Sequence, residues 1–273
     1  RRQIYLAESL VQKGCKVLAC GFEKTFLPAG VEKSSLEKLA LECGPVILPL
    51  PVTDDGVNLK AEYSAEPIVL DDIFAEKMRG KRVFGGKMER LFCTSSIWGE
   101  INTTDYSACE EFAVRNAVPT AEGAAEIAMR GYPGTISGSR CLIAGFGRLG
   151  RALMHVMKGL DANVTVSARA PEDLAWIEAS GCRSVETQQI GRSGIYDIIF
   201  NTVPALIFTR QVLSYLRGCS ILVDLASSPG GIDFEAAEEF GIKACSALSL
   251  PGRAAPKTAG KIIGDIVCRM VER

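Results

Sequence analysis

Short apolar runs alternate with helical patterns along nearly the whole chain. A helix is predicted over residues 3–13, ending at Gly14, where glycine suits the left-handed turn that closes many helices. A strand over 16–20, a helix over 34–41, a strand over 46–48, a helix over 72–78 and a strand over 82–84 follow. Residues 49–67 read as a long loop at the carboxyl end of a strand, and Gly85-Gly86-Lys87 closes the next strand in the same way. A connecting helix over 119–130 is predicted to open at Pro119 or Thr120, with Glu122 in its first turn. The second half then runs strand 140–144, a glycine-rich turn, and a helix with Leu149, Leu153, Val156, Met157 and Leu160 on one face. It continues with strand 163–166, helix 172–180, strands 182–185 and 196–201, helix 209–216, strand 220–225, helix 234–240 and strand 242–245. The last helix, about 257–270, carries Ile262, Ile263, Ile266, Val267, Met270 and Val271 at helical spacing, a stripe suited to core packing.

This alternation predicts an α/β protein of two Rossmann-like, doubly wound domains with parallel sheets. Residues 1–118 form an N-terminal domain expected to carry substrate and catalytic groups. Residues 119–132 form the connecting helix, and 133–250 a full dinucleotide-binding domain. Residues 251–273 hold the C-terminal helix, expected to pack back on the first domain. The opening helix is expected to follow a strand that the sequence does not include.

At 273 residues the chain is long enough for two buried cores. Its 31 basic and 32 acidic residues give a net charge of −1, so no broad attraction to nucleic acid or to a membrane surface is expected. No apolar run reaches the length of a bilayer span and no signal peptide is visible, which reads as cytoplasmic. The ten cysteines never form Cys-x-x-Cys. With His155 as the single histidine, the expectation is free thiols in a reducing compartment and no metal. His155 lies among apolar helix positions and reads as structural rather than catalytic.

The chemistry is carried by loops. Gly145-Phe146-Gly147-Arg148-Leu149-Gly150 joins a strand to a helix as a Gly-x-Gly-x-x-Gly turn. Gly145 permits the tight turn, Gly147 lets a pyrophosphate reach the backbone, and Gly150 brings helix and strand together. The helix start at Arg148 and Leu149 offers N–H groups and partial positive charge to phosphate. Where NAD-binding domains place a carboxylate for the ribose 2′-hydroxyl, this chain has Ser167-Ala168-Arg169. Ser167 and Arg169 favour a 2′-phosphate, hence NADP over NAD. Thr202, Val203 and Pro204 after one strand and Leu225 after another complete the expected cofactor contacts. These loops, with 119–123 and 250–260, are expected to surround an inter-domain cleft. Without an available histidine base, a reaction that aromatises a ring would ask least of the protein, because the product itself drives hydride departure.

The combination Pro-Thr-Ala-Glu-Gly (119–123), Gly-Phe-Gly-Arg-Leu-Gly (145–150), Asn-Thr-Val-Pro (201–204), Asp-Leu-Ala-Ser-Ser-Pro-Gly-Gly-Ile-Asp (224–233) and Leu-Pro-Gly-x-x-Ala-Pro-Lys-Thr-Ala-Gly (250–260) resembles the family of the dipicolinate synthase A subunit. The likeness is specific over 119–260 and looser before it. The family usually has a strand and a Gly-Gly-Asp turn ahead of an Arg-Gln that matches Arg2-Gln3. The resemblance implies an NADP-dependent oxidoreductase in the mother-cell cytoplasm of a sporulating bacterium. It implies oxidation of a dihydrodipicolinate, derived from the lysine-pathway intermediate 4-hydroxy-tetrahydrodipicolinate, to pyridine-2,6-dicarboxylate. It also implies, as partner, a second, flavoprotein-like subunit; a homo-oligomer is equally allowed. For such a doubly negative substrate, Arg253 and Lys257 are the candidate cations, with Thr120 and Ser227 as neutral donors. Asp224, then Glu122, are the candidate bases, with water as competitor, and Lys257 is the further candidate catalytic group. A shikimate-dehydrogenase-like or 2-hydroxy-acid reductase, and a non-catalytic NADP-binding scaffold, remain the alternatives.

Overall fold

The computed structural model describes residues 1–272. The chain divides into two compact units: Arg1–Asn116 together with the segment from Pro256 onward, and Ala117–Ala255. The first unit begins with α1 (Arg2–Gln12), β1 (Val17–Ala19), β2 (Val31–Lys33), α2 (Leu36–Glu42) and β3 (Pro45–Ile47). It continues with α3 (Asp72–Glu76), β4 (Arg82–Gly85) and β5 (Asn102–Asp105). Local chemistry sets several helix starts: Ser35 accepts from the Lys38 N–H at 3.2 Å and Asp71 from the Phe74 N–H at 2.9 Å, both N-caps. All strand pairs are parallel, as the alternation expects, but they form two small sheets, β1-β2 and β3-β4-β5. β2 and β5 lie outside the expected strands. Their sequences, Val-Glu-Lys and Asn-Thr-Thr-Asp, carry almost no apolar signal, because neither strand contributes a buried residue.

Helix α4 (Glu110–Gly131) corrects the connecting helix expected over 119–132. Pro119 is not a helix start: it lies inside the helix, which begins nine residues earlier in the chain at Glu110. A proline there forgoes only its own bond to the preceding turn, and buried Ala117, Ala121, Ala124, Ala125 and Ala128 hold the helix in place. The division between the units falls within α4.

The second unit contains β6 (Arg140–Ala144), α5 (Arg148–Gly159), β7 (Asn163–Ala168), α6 (Pro171–Ala179) and β8 (Arg183–Glu186). It then runs β9 (Ile198–Asn201), α7 (Arg210–Tyr215), β10 (Ile221–Asp224), α8 (Phe234–Glu239), β11 (Ala244–Ser246) and α9 (Leu250–Ala254). The six strands form one parallel sheet in the order β11-β10-β9-β6-β7-β8. Counted from β6, this is the strand order of a dinucleotide-binding domain, reversing direction beside β6. The two-residue period of β6 serves both faces. Cys141 and Ile143 join a core with Leu153, Met157 and Phe200, while Leu142 and Ala144 join another with Ile199, Leu213 and Leu222.

The last helix, α10 (Pro256–Val271), belongs to the first unit. It runs parallel to α1: Gly260 lies against Arg2 and Leu6, Gly264 against Leu6 and Ser9, and Asp265 pairs with Lys13 at 2.9 Å. A Cβ on Gly260 would come within 2.6 Å of the Arg2 carbonyl oxygen, so only glycine admits this approach. Ile262, Ile263, Ile266 and Val267 pack with Leu6, Phe84, Tyr106 and Phe112, the use expected of that stripe.

Candidate dinucleotide site

Parallel register places Ala144, Ser167, Asn201, Asp224 and Ser246 in one row across the carboxyl edge of the second unit's sheet. Ligands of open α/β sheets bind outside this edge, at the point where strand order reverses.

The glycine turn leaves this row from Ala144. Gly145 has φ +99°, and its N–H donates to the Ser167 carbonyl at 3.1 Å and the Ser167 Oγ at 3.3 Å. The Ala144 carbonyl accepts from the Thr202 N–H at 2.9 Å and its hydroxyl at 2.8 Å, which locks the loops after β6 and β9 together. A Cβ on Gly150 would lie 2.0 Å from the Gly145 carbonyl oxygen, so helix and turn touch there backbone to backbone. At Gly147 a Cβ would meet nothing within 4 Å, and as N-cap it supplies no side-chain bond to α5. The site therefore combines a helix N-terminus without a side-chain cap with an open approach to its backbone, the features that receive a pyrophosphate. Beside it, the Arg151 guanidinium stacks 4.6 Å from the Phe146 ring centroid and donates to the Phe146 carbonyl at 3.2 Å.

Two expected cofactor contacts at the end of β7 separate. The strand runs on to Ala168, so Ser167 is the wholly buried partner of Gly145 and cannot present its hydroxyl to a ribose phosphate. Arg169, the first residue past the strand, is exposed and makes no hydrogen bond or ion pair among the described residues. Helix α6 starts beside it with Pro171 at its first position and Ala170 as an N-cap lacking a side-chain bond.

Asp224 is 2% exposed and Asn201 is fully buried. Asp224 Oδ1 accepts from the Asn201 side-chain amide at 2.8 Å and the Ala226 N–H at 3.1 Å, and Oδ2 from the Gly231 N–H at 3.0 Å. Asn201 in turn caps its own loop, accepting from the Val203 N–H at 3.0 Å and donating to the Val203 carbonyl at 3.1 Å. Both oxygens of Asp224 are committed to its loop and its neighbour strand. This geometry describes an organiser of the loop rather than an open base. Leu225 is also buried, so its contribution to a ligand is restricted to backbone, whereas Val203 is part-exposed and Pro204 and Ser227 are exposed.

The remaining candidates divide. Thr120 and Glu122 lie in the middle of α4, which removes the helix-start argument for the charge state of Glu122. Gly123 brings α4 against Leu250 and Ala254 of α9, a Cβ there standing 2.9 Å from that of Ala254, so segments 119–123 and 250–254 do meet. Arg253, on α9, is exposed and has no ion-pair partner among the described residues. Lys257 is exposed in the first turn of α10, in the other unit. His155 is exposed on α5 rather than packed within it. Burial pushes the Cys219 thiol up to about 12 and the Cys141 thiol up as well, which makes both poor nucleophiles. Among the described residues no three His, Cys, Asp or Glu side chains are placed to hold a metal ion, and no helix is long and apolar enough to cross a membrane.

Residues 1–96 match the family model described as the N-terminal domain of the dipicolinate synthase A subunit. Over its whole length the chain is similar to the A subunit of dipicolinate synthase. The Bacillus subtilis (strain 168) protein of that name is 29% identical over 274 residues, 99% of this chain and 92% of that protein. The crystal structure of the dipicolinate synthase A subunit from Bacillus halodurans superposes with a TM-score of 0.88 at 29% identity, covering 100% of this chain and 94% of that one. The A chain of dipicolinate synthase from Bacillus subtilis gives 0.86 at 29% identity, with coverage of 99% and 92%. A transhydrogenase from Sinorhizobium meliloti, 15% identical, shares the fold with a TM-score of 0.69 over 98% of this chain and 89% of its own. The resemblance read from the five loop motifs is thus a resemblance of whole chains.

Asn201 is the residue of this site that motif reasoning misses. In the sequence it is only the first letter of Asn-Thr-Val-Pro, yet it joins two loops by holding Asp224. A signal exists in the sequence, since a polar residue ending an otherwise apolar strand demands a partner.

Proposed function

We propose that the second unit binds NADP(H) and that the chain oxidises a dihydrodipicolinate to pyridine-2,6-dicarboxylate, working with a second, flavoprotein-like subunit in the cytoplasm of a sporulating mother cell. The observation that carries the cofactor assignment is the Gly145–Gly150 turn. Its helix N-terminus lacks a side-chain cap, it opens to solvent at Gly147, and it sits at the reversal point of a six-stranded sheet. The similar proteins are named for dipicolinate synthesis, which supports the reaction, and each is named as one subunit of a synthase, which supports a partner.

Within this reading the first turn of α5 neutralises pyrophosphate charge and Gly147 admits it. Arg169 pairs with the 2′-phosphate, since it is exposed, unpaired among the described residues, and has no carboxylate at the strand end to repel that phosphate. NAD(H) is the second choice. The nicotinamide, when bound, supplies the acceptor for a hydride from a ring carbon. The substrate loses that hydride and one proton and becomes aromatic. With both oxygens of Asp224 engaged, the proton passes to water; Glu122 is the remaining candidate carboxylate. Asp224 acts by holding the loop that ends in Gly231. Lys257 and Arg253 are the candidate cations for the substrate carboxylates, and Thr120 and Ser227 candidate neutral donors.

The test is incubation of the purified chain with freshly made 4-hydroxy-tetrahydrodipicolinate and NADP+ or NAD+, with and without the second subunit. Reduced nicotinamide and pyridine-2,6-dicarboxylate should form in equal amounts. Failure to form either product with both subunits present would remove the reaction.

A further inference from the structure

At the carboxyl edge of β3-β4-β5, the guanidinium of Arg2 stands without a counter-ion. It is part-buried at the start of α1, where one Nη donates to the Leu50 carbonyl, and no carboxylate reaches it within ion-pair distance among the described residues. Glu62 attracts it only from farther away, and burial pushes its pKa down. A guanidinium has five N–H donors in a rigid fork, so most of its capacity is unused by the protein. The next residue of the same turn is unsatisfied in the opposite sense: Gln3 Oε1 is sealed from solvent and accepts no hydrogen bond. Buried polar atoms almost always have partners, and exceptions mark places where a ligand or water completes the set.

The surroundings are built like a ligand edge. The loop after β3 meets the loop after β4, where a Cβ on Gly86 would lie 2.5 Å from the Leu50 side chain. Lys87 follows at φ +54°, its N–H donating to Ser107 Oγ at 3.1 Å, with its exposed ammonium unpaired among the described residues. The carboxylate of this edge, Asp105, is occupied by the Ser107 N–H at 2.7 Å and hydroxyl at 2.6 Å, and by the Met88 N–H at 3.2 Å. Tyr106 is turned inward, donating to the Leu48 carbonyl at 3.2 Å. Helices α1 and α10 run parallel, so both N-termini, with Lys257 on the second, come to this edge and add positive potential.

We propose that Arg2 anchors a carboxylate of a small organic acid in the first unit, with Lys87 and Lys257 as the flanking cations and Gln3 receiving a donor of the same ligand. On the reading of the chain as a dihydrodipicolinate oxidase, on which the ligand's identity rests, this acid is the substrate. A ring bearing a carboxylate beside an N–H would match a guanidinium beside an amide oxygen.

The experiment is calorimetric titration of the full chain with pyridine-2,6-dicarboxylate, its saturated analogue piperidine-2,6-dicarboxylate, and pyruvate. The variants are Arg2→Met and Arg2→Lys, each checked for an unchanged thermal midpoint and NADP(H) affinity. Arg2→Met should weaken carboxylate binding at least about ten-fold, the usual effect of losing a charge-assisted hydrogen bond, and Arg2→Lys should recover part of it. Undiminished binding in folded Arg2→Met, or no binding of any of the three acids to the parent chain, overturns the site. If only pyruvate binds and does so through Arg2, the site stands and the dipicolinate reading falls.

Discussion

Asp224→Asn keeps the size of the side chain and replaces one acceptor oxygen with an amide donor. In the native loop, Oδ1 serves the Asn201 amide and the Ala226 N–H while Oδ2 serves the Gly231 N–H. In the better of its two orientations, the asparagine retains the first two bonds and turns its NH2 toward the Gly231 N–H, where donor faces donor at about 3 Å. The flipped orientation places NH2 against two donors and is worse. The preferred arrangement loses one hydrogen bond to a charged acceptor and leaves two buried donors without partners. Each such loss is worth about 1–3 kcal/mol, so the expected destabilisation is roughly 2–4 kcal/mol after local relaxation. For a protein of this size that lowers the thermal midpoint by roughly 5–15 °C. Scanning calorimetry of parent and variant measures it, with NADP(H) titration and turnover on the same samples. Stability within about 0.5 kcal/mol of the parent, together with a hundred-fold or greater loss of turnover, would refute the organising role and restore Asp224 as the base.

Four further outcomes are expected. Gly147→Ala should leave the thermal midpoint nearly unchanged, because its Cβ meets open space, yet weaken NADP(H) binding in a fluorescence titration. Gly150→Ala should destabilise by about 1–3 kcal/mol in urea titrations, because its Cβ overlaps the Gly145 carbonyl. Arg169→Ala should weaken NADP(H) about ten-fold and leave NAD(H) affinity unchanged, and equal losses for both would remove the 2′-phosphate assignment. Asp197 is held below the ordinary carboxylate range by its hydrogen bonds from Arg140, Nη2 at 2.6 Å and Nε at 3.0 Å. Its contribution is therefore present at neutral pH and is lost as pH falls below about 4. Arg140→Met should lower stability by about 1 kcal/mol at pH 7, since Arg140 is half-exposed, and by much less at pH 3 in the same titrations.

Where the sequence is legible, burial has left a period in it. The stripe on α10 and the alternation along β6 can be read directly because each position meets a core. β2 and β5 bury nothing and leave no trace, and Pro119 misleads because a proline inside a helix and one at its start look alike without the flanking packing. At the site, the glycine spacing identifies a turn whose constraints are local. The burial of Ser167 depends on β7 extending two residues past its most apolar stretch, and the engagement of Asp224 depends on Asn201 from another strand. Such partnerships span sequence distances that no motif encodes.

The first unit is discontinuous, made of residues from both ends of the chain, and this orders its assembly in time. Arg82 donates to the carbonyls of Met270 and Val271, the latter at 2.9 Å, and α10 supplies half the apolar partners of Phe84 and Tyr106. On the ribosome, residues 1–116 emerge first but must wait for α10, while the second unit, contiguous in sequence, can close before it. The earliest part to be synthesised is thus the last to be finished. During that interval Leu6, Phe84 and Phe112 lack their covering helix, so a nascent chain halted before Pro256 would hold a folded nucleotide-binding unit and an incomplete one that chaperones and proteases can recognise.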